Sequence, residues 1–296
     1  MNKYWSTYVQ TSEELYRSRA LRFREDNQSI WLNLMGVTDG LNVLEVGCGG
    51  GLFCHRIKSA LPNTNVTGLD FDDAHILFAI NKASELNLDC MFISGDACKL
   101  PFEANTFDLC FSHTVMNFCS LDTFAAEQYR VLKAYGRMVA MDVINFGNTA
   151  ERWAPTEESE EKRLYDHLWT AASQNELSQI RRHSDSKQQW AKSMCVAGFT
   201  NISFRTLAAI TYCPDSFEVS SELAYEQINV DRLSELCSIE KARRMAPNAL
   251  TSEEFVRLTD LINIRYDTRI EQYKRGERIW DFGTTTVIAV IGTKQE

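Results

Sequence analysis

The stretch VLEVGCGGG, residues 43–51, is an apolar run that ends in a cluster of glycines. Such a cluster lets the backbone turn sharply and approach another group closely. Strand-like and helix-like segments alternate around it, at residues 41–46, 51–61, 65–70, 73–87, 90–94, 107–112, 121–133 and 136–143. This order predicts βαβ units, a parallel sheet and therefore an α/β fold.

The pattern changes after residue 143. Residues 156–169 and 184–199 are predicted to form helices, and residues 201–210 a strand. Two further amphipathic helices are predicted within residues 214–275. The segment 284–294 is β-branched and apolar, which is typical of a buried strand.

The first forty residues are predicted to be helical, because Thr11 and Glu14 stand at the spacing of a capping box. We interpret this segment as a lid. The predicted division of the chain is a helical lid (1–40), an α/β core (41–213), a helical insertion that covers the substrate (214–275) and a last strand that completes the core sheet (276–296).

Composition narrows the class of protein. The 296 residues are 44% hydrophobic, which is enough for a large core, and the net charge of −9 disfavours nucleic acid as a partner. No apolar run is long enough to span a membrane, and the first ten residues lack the apolar stretch of a signal peptide, so we expect a cytoplasmic protein. The nine cysteines form no Cys-x-x-Cys pair, and we predict no metal site.

The glycine cluster departs from the dinucleotide-binding motif, because Leu52 stands where its third glycine belongs. What the sequence has is a Glu-x-Gly-x-Gly-x-Gly pattern that starts at Glu45, and Asp70 at the end of the next strand-like run. This pair of features resembles motifs I and II of the class I S-adenosylmethionine-dependent methyltransferases. The chemistry agrees, since an acidic residue in that place can accept hydrogen bonds from ribose hydroxyls, and a carboxylate near Glu45 suits a cationic ligand.

Two further segments extend the resemblance. Residues 93–118 are similar to the third and fourth motifs of the family, which implies that Asp96 and Ala97 meet the adenine. Asp96 could instead cap a turn. Residues 127–143 resemble a family segment that usually contains Pro-Gly, here replaced by Ala-Tyr. The remainder is similar only in outline to the small-molecule branch related to ubiquinone and menaquinone biosynthesis.

The resemblance implies a Rossmann-like, doubly wound, mostly parallel seven-stranded sheet, with the lid helix before it and the helical insertion before its last strand. It also implies S-adenosylmethionine as the cofactor. The predicted cofactor-binding residues are Tyr16, Glu45, Gly47, Cys48, Gly49, Asp70, Phe71, Asp96, Ala97 and Ser112. Tyr16 belongs to this set as an aromatic of the lid, together with the candidates Tyr4 and Trp5.

Methyl transfer from a sulfonium is an in-line displacement, so positioning of the nucleophile supplies much of the rate. His113 is the candidate catalytic base, because it follows Ser112 at the end of the fourth strand, where ligands bind in open α/β sheets. The alternative is that His113 only lines the cofactor site or satisfies a loop hydrogen bond. Asn117 is a second residue expected to face the acceptor.

The leading prediction is an S-adenosylmethionine-dependent methyltransferase that acts on a small organic acceptor. A non-catalytic regulatory or scaffold protein that binds the same cofactor is the alternative, and a nicotinamide oxidoreductase ranks third. Neither the acceptor atom nor the oligomeric state can be read from the sequence. The predicted walls of the acceptor cavity, each of which could equally belong to the core, are Trp153, Trp169, Tyr212, Phe217 and Tyr225.

Overall fold

The computed structural model describes residues 5–144, 150–151, 159–174 and 186–296. The strands are β1 (Asn42–Val46), β2 (Asn65–Asp70), β3 (Met91–Ser94), β4 (Phe107–His113), β5 (Leu132–Ile144), β6 (Ala150–Glu151), β7 (Thr200–Tyr212) and β8 (Phe282–Thr293). The helices are α1 (Trp5–Tyr8), α2 (Ser12–Arg22), α3 (Gln28–Met35), α4 (Leu52–Ala60), α5 (Asp73–Glu85), α6 (Leu121–Val131), α7 (Glu160–Ser173), α8 (Lys187–Ala197), α9 (Ser221–Met245) and α10 (Ser252–Lys274).

Seven long strands form one sheet in the order β3-β2-β1-β4-β5-β8-β7, and the two-residue β6 pairs with the start of β8. The pairs among β1 to β5 are parallel, whereas β8 runs antiparallel to both β5 and β7. The predicted doubly wound, mostly parallel sheet is confirmed. Its strand order reverses beside β1, so the carboxyl ends of β1 and β4 border the crevice where ligands bind in such sheets.

Alternation along the strands divides the core into two apolar layers. Leu109 and Phe111 of β4 pack on one face with Trp31 of α3 and Phe53 of α4. Cys110 lies on the opposite face, in the layer that also contains residues of α6 and α8. Because β1 and β4 are buried on both faces, their apolar runs are nearly continuous, as the stretch at 43–46 is.

Side-chain caps fix the helix starts that the sequence indicates. Thr251 and Glu254 form a complete capping box at the start of α10. At the start of α2 only half of the predicted box is present: Thr11 accepts from the Glu14 amide, but the Glu14 carboxylate accepts from Gln10 Nε2 instead. Because Glu14 is buried, its carboxylate bonds to Gln10 and not to the N-cap amide.

The start of β5 differs from the prediction. Helix α6, predicted for residues 121–133, ends at Val131, and β5 begins at Leu132 rather than at residue 136. Three extra residues bulge between the pairs Phe107–Leu132 and Leu109–Arg137. Tyr135 adopts a left-handed conformation within this bulge, with φ of 63°, and its hydroxyl donates to Glu296. The residue that replaces the usual glycine therefore keeps the glycine-like backbone.

Helices α9 and α10 lie between β7 and β8, as predicted, and they pack with α7 around a third apolar cluster. Tyr212 and Trp169 belong to this cluster, so both side chains are part of the packing there. Phe217 is 83% exposed, Tyr225 packs edge-on against Tyr273, and Trp153 lies outside the described residues. The division of the chain into these four segments stays a prediction.

A search of the described part of the chain finds no helix with the length and hydropathy needed to cross a membrane. The nine cysteines are all free, and four of them are buried. Burial raises the pKa of the Cys48 and Cys54 thiols well above the usual value. These thiols stay protonated and act as small apolar side chains.

Candidate cofactor site

The glycine loop begins where β1 ends. Gly47, Gly49 and Gly51 have positive φ values of 74°, 54° and 79°, and Gly51 is the N-cap of α4. Other residue types are strained in this conformation. The amides of Gly47 and Cys48 both donate to the Leu69 carbonyl of β2, at 2.6 and 3.0 Å. The loop is therefore held across the carboxyl ends of β1 and β2.

Asp70, the last residue of β2, organises the loops on both sides of it. Its Oδ2 accepts from the Gly49 amide at 2.7 Å, and its Oδ1 accepts from the Asp72 amide at 2.9 Å. The side chain remains partly exposed. Because each carboxylate oxygen can accept more than one hydrogen bond, Asp70 retains acceptor capacity for a ligand beside the glycine loop.

Glu45 lies below this loop and is fully buried. Its Oε2 accepts a hydrogen bond from the Cys54 thiol at 3.1 Å, while Oε1 has no partner among the described residues. Burial raises the pKa of Glu45 to about 8, although the nearby positive charge of Arg19 opposes the rise. A buried carboxyl group with a free oxygen is suited to receive a cationic group of a ligand.

Helix α2 covers the glycine loop with two side chains. A Cβ atom added at Gly49 would lie 2.6 Å from Leu15 Cδ2 and 3.2 Å from Arg19 Nη1. Arg19 is buried, and its Nη2 donates to the His113 carbonyl at 3.3 Å and to Thr114 Oγ1 at 3.2 Å. The charges of Glu45 and Asp70 both act on this guanidinium. Arg19 therefore joins α2 to the ends of β1, β2 and β4.

Sequence reasoning did not assign Arg19 to the site. The available signal was that Arg19 and Arg22 share the helical surface that also carries Leu15. Burying an arginine on a surface that packs against the protein costs free energy. An arginine in such a position therefore indicates that its positive charge is used there. On an amphipathic helix, however, arginines usually lie on the solvent-exposed surface. The sequence pattern alone therefore did not place Arg19 in the site.

The other predicted cofactor residues lie at several places around this edge of the sheet. Cys48 is buried in the glycine loop, and Phe71 follows Asp70. The Tyr16 ring packs against His55 and Phe78, with ring centroids 5.7 Å apart in both cases. Tyr16 thus packs over α4 and α5 in this arrangement, and its contact with a cofactor stays a prediction.

Asp96 and Ala97 form the loop after β3. Asp96 is exposed, and its Oδ1 accepts from the Cys98 amide at 2.8 Å, which is the turn-capping contact that the sequence analysis gave as the alternative. This contact occupies only one of the two carboxylate oxygens. The adenine role of Asp96 and Ala97 stays a prediction that the geometry allows.

Ser112 and His113 end β4 and point to opposite faces of the sheet, as successive strand residues do. Both are buried, and neither the Ser112 hydroxyl nor either ring nitrogen of His113 has a hydrogen-bond partner among the described residues. The imidazole packs edge-on against Phe23, with ring centroids 5.3 Å apart, and 5.8 Å from the ring of Phe53. Burial, together with the charges of Arg19 and Arg22, lowers the pKa of His113 well below its usual value.

A polar cluster follows at the ends of β4 and β5. Asn117 and Asp142 are buried, and Asn117 Nδ2 donates to Asp142 Oδ2 at 2.7 Å. Lys187, in the first turn of α8, forms a short ion pair with the same carboxylate and lies 4.0 Å from the Trp190 ring centre. Asp142 and Lys187 were not singled out from the sequence, because their neighbourhood depends on the packing of α8 against the sheet.

A search for groups of three or more metal-binding side chains finds none in the residues that the structure describes. Tyr4, which the sequence analysis named, lies outside those residues. The candidate site consists of a glycine loop, three acidic residues near successive strand ends and two arginines of α2.

Comparison with known proteins gives the family. A family model described as a methyltransferase domain matches residues 37–198. The sterol 24-C-methyltransferase erg6 of Schizosaccharomyces pombe is 37% identical over 105 residues, which is 34% of this chain and 28% of that protein. A demethylmenaquinone methyltransferase of Listeria monocytogenes is 33% identical over 114 residues, 38% of this chain and 48% of that protein. The chain thus spans less than half the length of these curated relatives.

Among solved structures, the chain is similar to phosphoethanolamine N-methyltransferase 2 of Haemonchus contortus in complex with S-adenosyl-L-methionine. The TM-score is 0.54 at 16% identity, and the match covers 99% of this chain and 59% of that one. At this identity the likeness concerns the fold alone.

Proposed function

Because the chain belongs to the methyltransferase-domain family, and its fold is that of the class I S-adenosylmethionine-dependent enzymes, we propose that it transfers a methyl group from S-adenosylmethionine to a small organic acceptor. One observation carries the proposal. The carboxylate of Asp70 lies beside the glycine loop, and the buried carboxyl group of Glu45 lies below it. Each has hydrogen-bond acceptor capacity that no described residue uses. These are the hydrogen-bond acceptors that the hydroxyls of a ribose and an ammonium group require.

Each part of the cofactor has a residue suited to hold it. Asp70 would accept hydrogen bonds from the ribose hydroxyls, and Glu45 would receive the ammonium group. Arg19 carries the complementary charge for the carboxylate of the amino-acid part. Asp96 and Ala97 would meet the adenine. When bound, the cofactor supplies an activated methyl group, and these residues fix its direction.

Helix α2 has the position of a lid. Leu15 and Arg19 lie against the glycine loop, so α2 has to shift to admit a ligand there and can close again over it. Arg17 of α2 forms a two-pronged ion pair with Glu226 of α9, at 2.9 and 3.0 Å, which ties this lid to the helical insertion. A site closed in this way excludes water from the reacting atoms.

Three observations support a small acceptor. The two curated relatives are named for a demethylmenaquinone and a sterol, which are organic molecules rather than polymers. The net charge of −9 opposes a polyanionic acceptor. Leu15 and Arg19 of α2 lie against the glycine loop, and Arg17 ties α2 to the insertion, so this side of the loop is covered. The acceptor itself is not identified by these observations.

The packing of His113 favours the alternative role that the sequence analysis gave it. With its pKa well below the usual value, the imidazole is neutral at neutral pH and is a weak base. Its two ring nitrogens are enclosed beside Phe23 and Phe53. We propose that His113 lines the site and that the activation of the acceptor depends on positioning.

The proposal is tested in two stages. Calorimetric titration with S-adenosylhomocysteine and with NADH should give binding of the former only. Incubation with methyl-labelled S-adenosylmethionine should then transfer the label to small organic acceptors, with demethylmenaquinone and a sterol included and with tRNA and DNA as polymer controls. Binding without transfer to any acceptor would favour the regulatory or scaffold alternative, and label on the polymers would contradict the small-acceptor proposal.

Replacement of Asp70 by alanine should weaken S-adenosylhomocysteine binding by about 1–3 kcal/mol, because the ligand's hydroxyls and the Gly49 amide lose their acceptor. Calorimetry measures the change. Asp73→Ala removes a nearby exposed carboxylate that accepts from the Ser94 hydroxyl, and this control should bind like the parent protein. Equal affinities for the two variants would remove Asp70 from the ribose site.

Cofactor affinity should rise with pH. A cationic group beside Glu45 favours the ionised carboxyl, so binding lowers the raised pKa of this residue and releases a proton. Affinity for S-adenosylhomocysteine should therefore increase by about tenfold per pH unit below about pH 8 and level off above it. Calorimetry in buffers of different ionisation enthalpy measures the released proton. A pH-independent affinity would mean that Glu45 is already ionised or does not contact the ligand.

A further inference from the structure

Arg22, the last residue of α2, has a positive charge without a partner. The structure gives its guanidinium neither a hydrogen bond nor an ion pair with any residue it describes, and its Nε atom is closed off from solvent. Burial, with a further contribution from the charge of Arg19, lowers the pKa of Arg22 to about 10. Enclosing a charge in this way costs free energy unless something compensates it.

The place of Arg22 is fixed by its neighbours on α2. Arg19, one turn earlier, donates to the His113 carbonyl, and the ring of Phe23, the next residue, packs edge-on against the His113 ring. The backbone is also held, because Asn27 Nδ2 donates to the Arg22 carbonyl at 3.0 Å. Arg22 therefore lies near the end of β4, one turn beyond Arg19, where its charge acts on His113 and the charge of Asp142 acts on it.

The residues that the structure describes do not supply Arg22 with an anion of its own. Asp142 attracts it, but the carboxylate of Asp142 is already bonded to Asn117 and to Lys187. Arg22 and Lys187 thus bring two positive charges to this end of the site, against the one negative charge of Asp142. Glu45 and Asp70 lie on the cofactor side. The acceptor side is therefore electropositive within the described residues, although the chain as a whole is acidic.

We propose that Arg22 binds an oxyanion group of the methyl acceptor, a carboxylate or a phosphate. This inference rests on the proposed function and narrows it to anionic small molecules. The partly exposed guanidinium presents the paired N–H donors that both groups accept, and the acceptor would be held beside the end of β4 with its other end free to face the methyl group. Arg19, one turn earlier on α2, serves the cofactor instead.

The test uses the full chain saturated with S-adenosylhomocysteine. Inorganic phosphate and acetate are titrated separately, with chloride at equal ionic strength as the reference. The parent protein should bind one of the two oxyanions, and stronger binding of phosphate or of acetate identifies which group the acceptor carries. Arg22→Gln should bind that anion about tenfold more weakly or worse, which is the effect of losing a charged hydrogen-bond donor. Arg24→Gln, which removes a nearby arginine that is already paired with Asp26, is the matched control and should bind the anion like the parent.

A second measurement separates binding from a structural role. Since Arg22→Gln removes an uncompensated charge, its thermal midpoint should equal or exceed that of the parent, and its affinity for S-adenosylhomocysteine should be unchanged. A lower midpoint, or equal anion binding by the parent and Arg22→Gln, would overturn the proposal. Loss of S-adenosylhomocysteine binding by Arg22→Gln would assign the residue to the cofactor. If the parent itself fails to bind S-adenosylhomocysteine, the proposed function fails instead.

Discussion

Arg269→Met should lower the free energy of unfolding by about 3–5 kcal/mol, because it removes the buried counterion that two buried carboxylates share. Arg269 of α10 is 1% exposed, and its Nη2 donates to Asp215 at 2.7 Å and to Asp281 at 2.8 Å. Asp215 also accepts the amides of Ile279 and Trp280, at 2.8 Å each. This cluster joins the last insertion helix to the segments before α9 and β8.

Denaturant unfolding followed by circular dichroism measures this change. The control is Arg257→Met on the same helix, which removes an exposed ion pair with Glu160 and should leave the midpoint close to that of the parent. Equal midpoints for the two variants would show that the buried cluster adds nothing to stability.

Gly49→Val should weaken S-adenosylhomocysteine binding by about 100-fold or more, equivalent to about 2.7 kcal/mol. Valine is strained at a φ of 54°, and its Cβ would lie 2.6 Å from Leu15 Cδ2. The side chain would therefore push α2 away from the loop and occupy the space of the ligand. Calorimetry measures the affinity, and a thermal melt establishes whether the variant remains folded.

Gly40→Val is the control that separates the effect of backbone strain from the effect of the added side chain under α2. Gly40 also has a positive φ, 87°, but an added Cβ there meets nothing within 4 Å. Both variants carry backbone strain of about 1–3 kcal/mol, and only Gly49→Val inserts atoms under α2. Parent-like affinity in Gly49→Val would contradict the assignment of this loop to the cofactor, whereas loss of its cooperative unfolding transition would show that the glycine serves the fold.

The sheet could be predicted because its signals are local. The run ending at Val46 and the strand ending at Asp70 are short, apolar and followed by turn residues, and their observed bounds match the predicted ones closely. The start of β5 was less predictable. Tyr135 holds a left-handed backbone where a glycine is usual, and its hydroxyl bonds to Glu296, which is far from it in the sequence. No local pattern contains that contact.

The candidate site was predictable only in part, for the same reason. Glu45, Gly49 and Asp70 follow from a motif in which spacing along the chain determines spacing in the fold. Arg19 and Arg22 reach the site through the packing of α2, which depends on tertiary contacts. The predicted wall residues Tyr212 and Trp169 pack into the third apolar cluster, because an aromatic in an amphipathic segment fits a core as well as a cavity.

Arg19 and Arg22 lie one turn apart on the same short helix, and this has a thermodynamic consequence. If one residue serves the cofactor and the other the acceptor, both ligands favour the same closed arrangement of α2. Each ligand then lowers the free-energy cost of binding the other, and the coupling is equal in both directions. The protein should therefore show positive heterotropic cooperativity, in which the cofactor and the acceptor each raise the affinity for the other by the same factor.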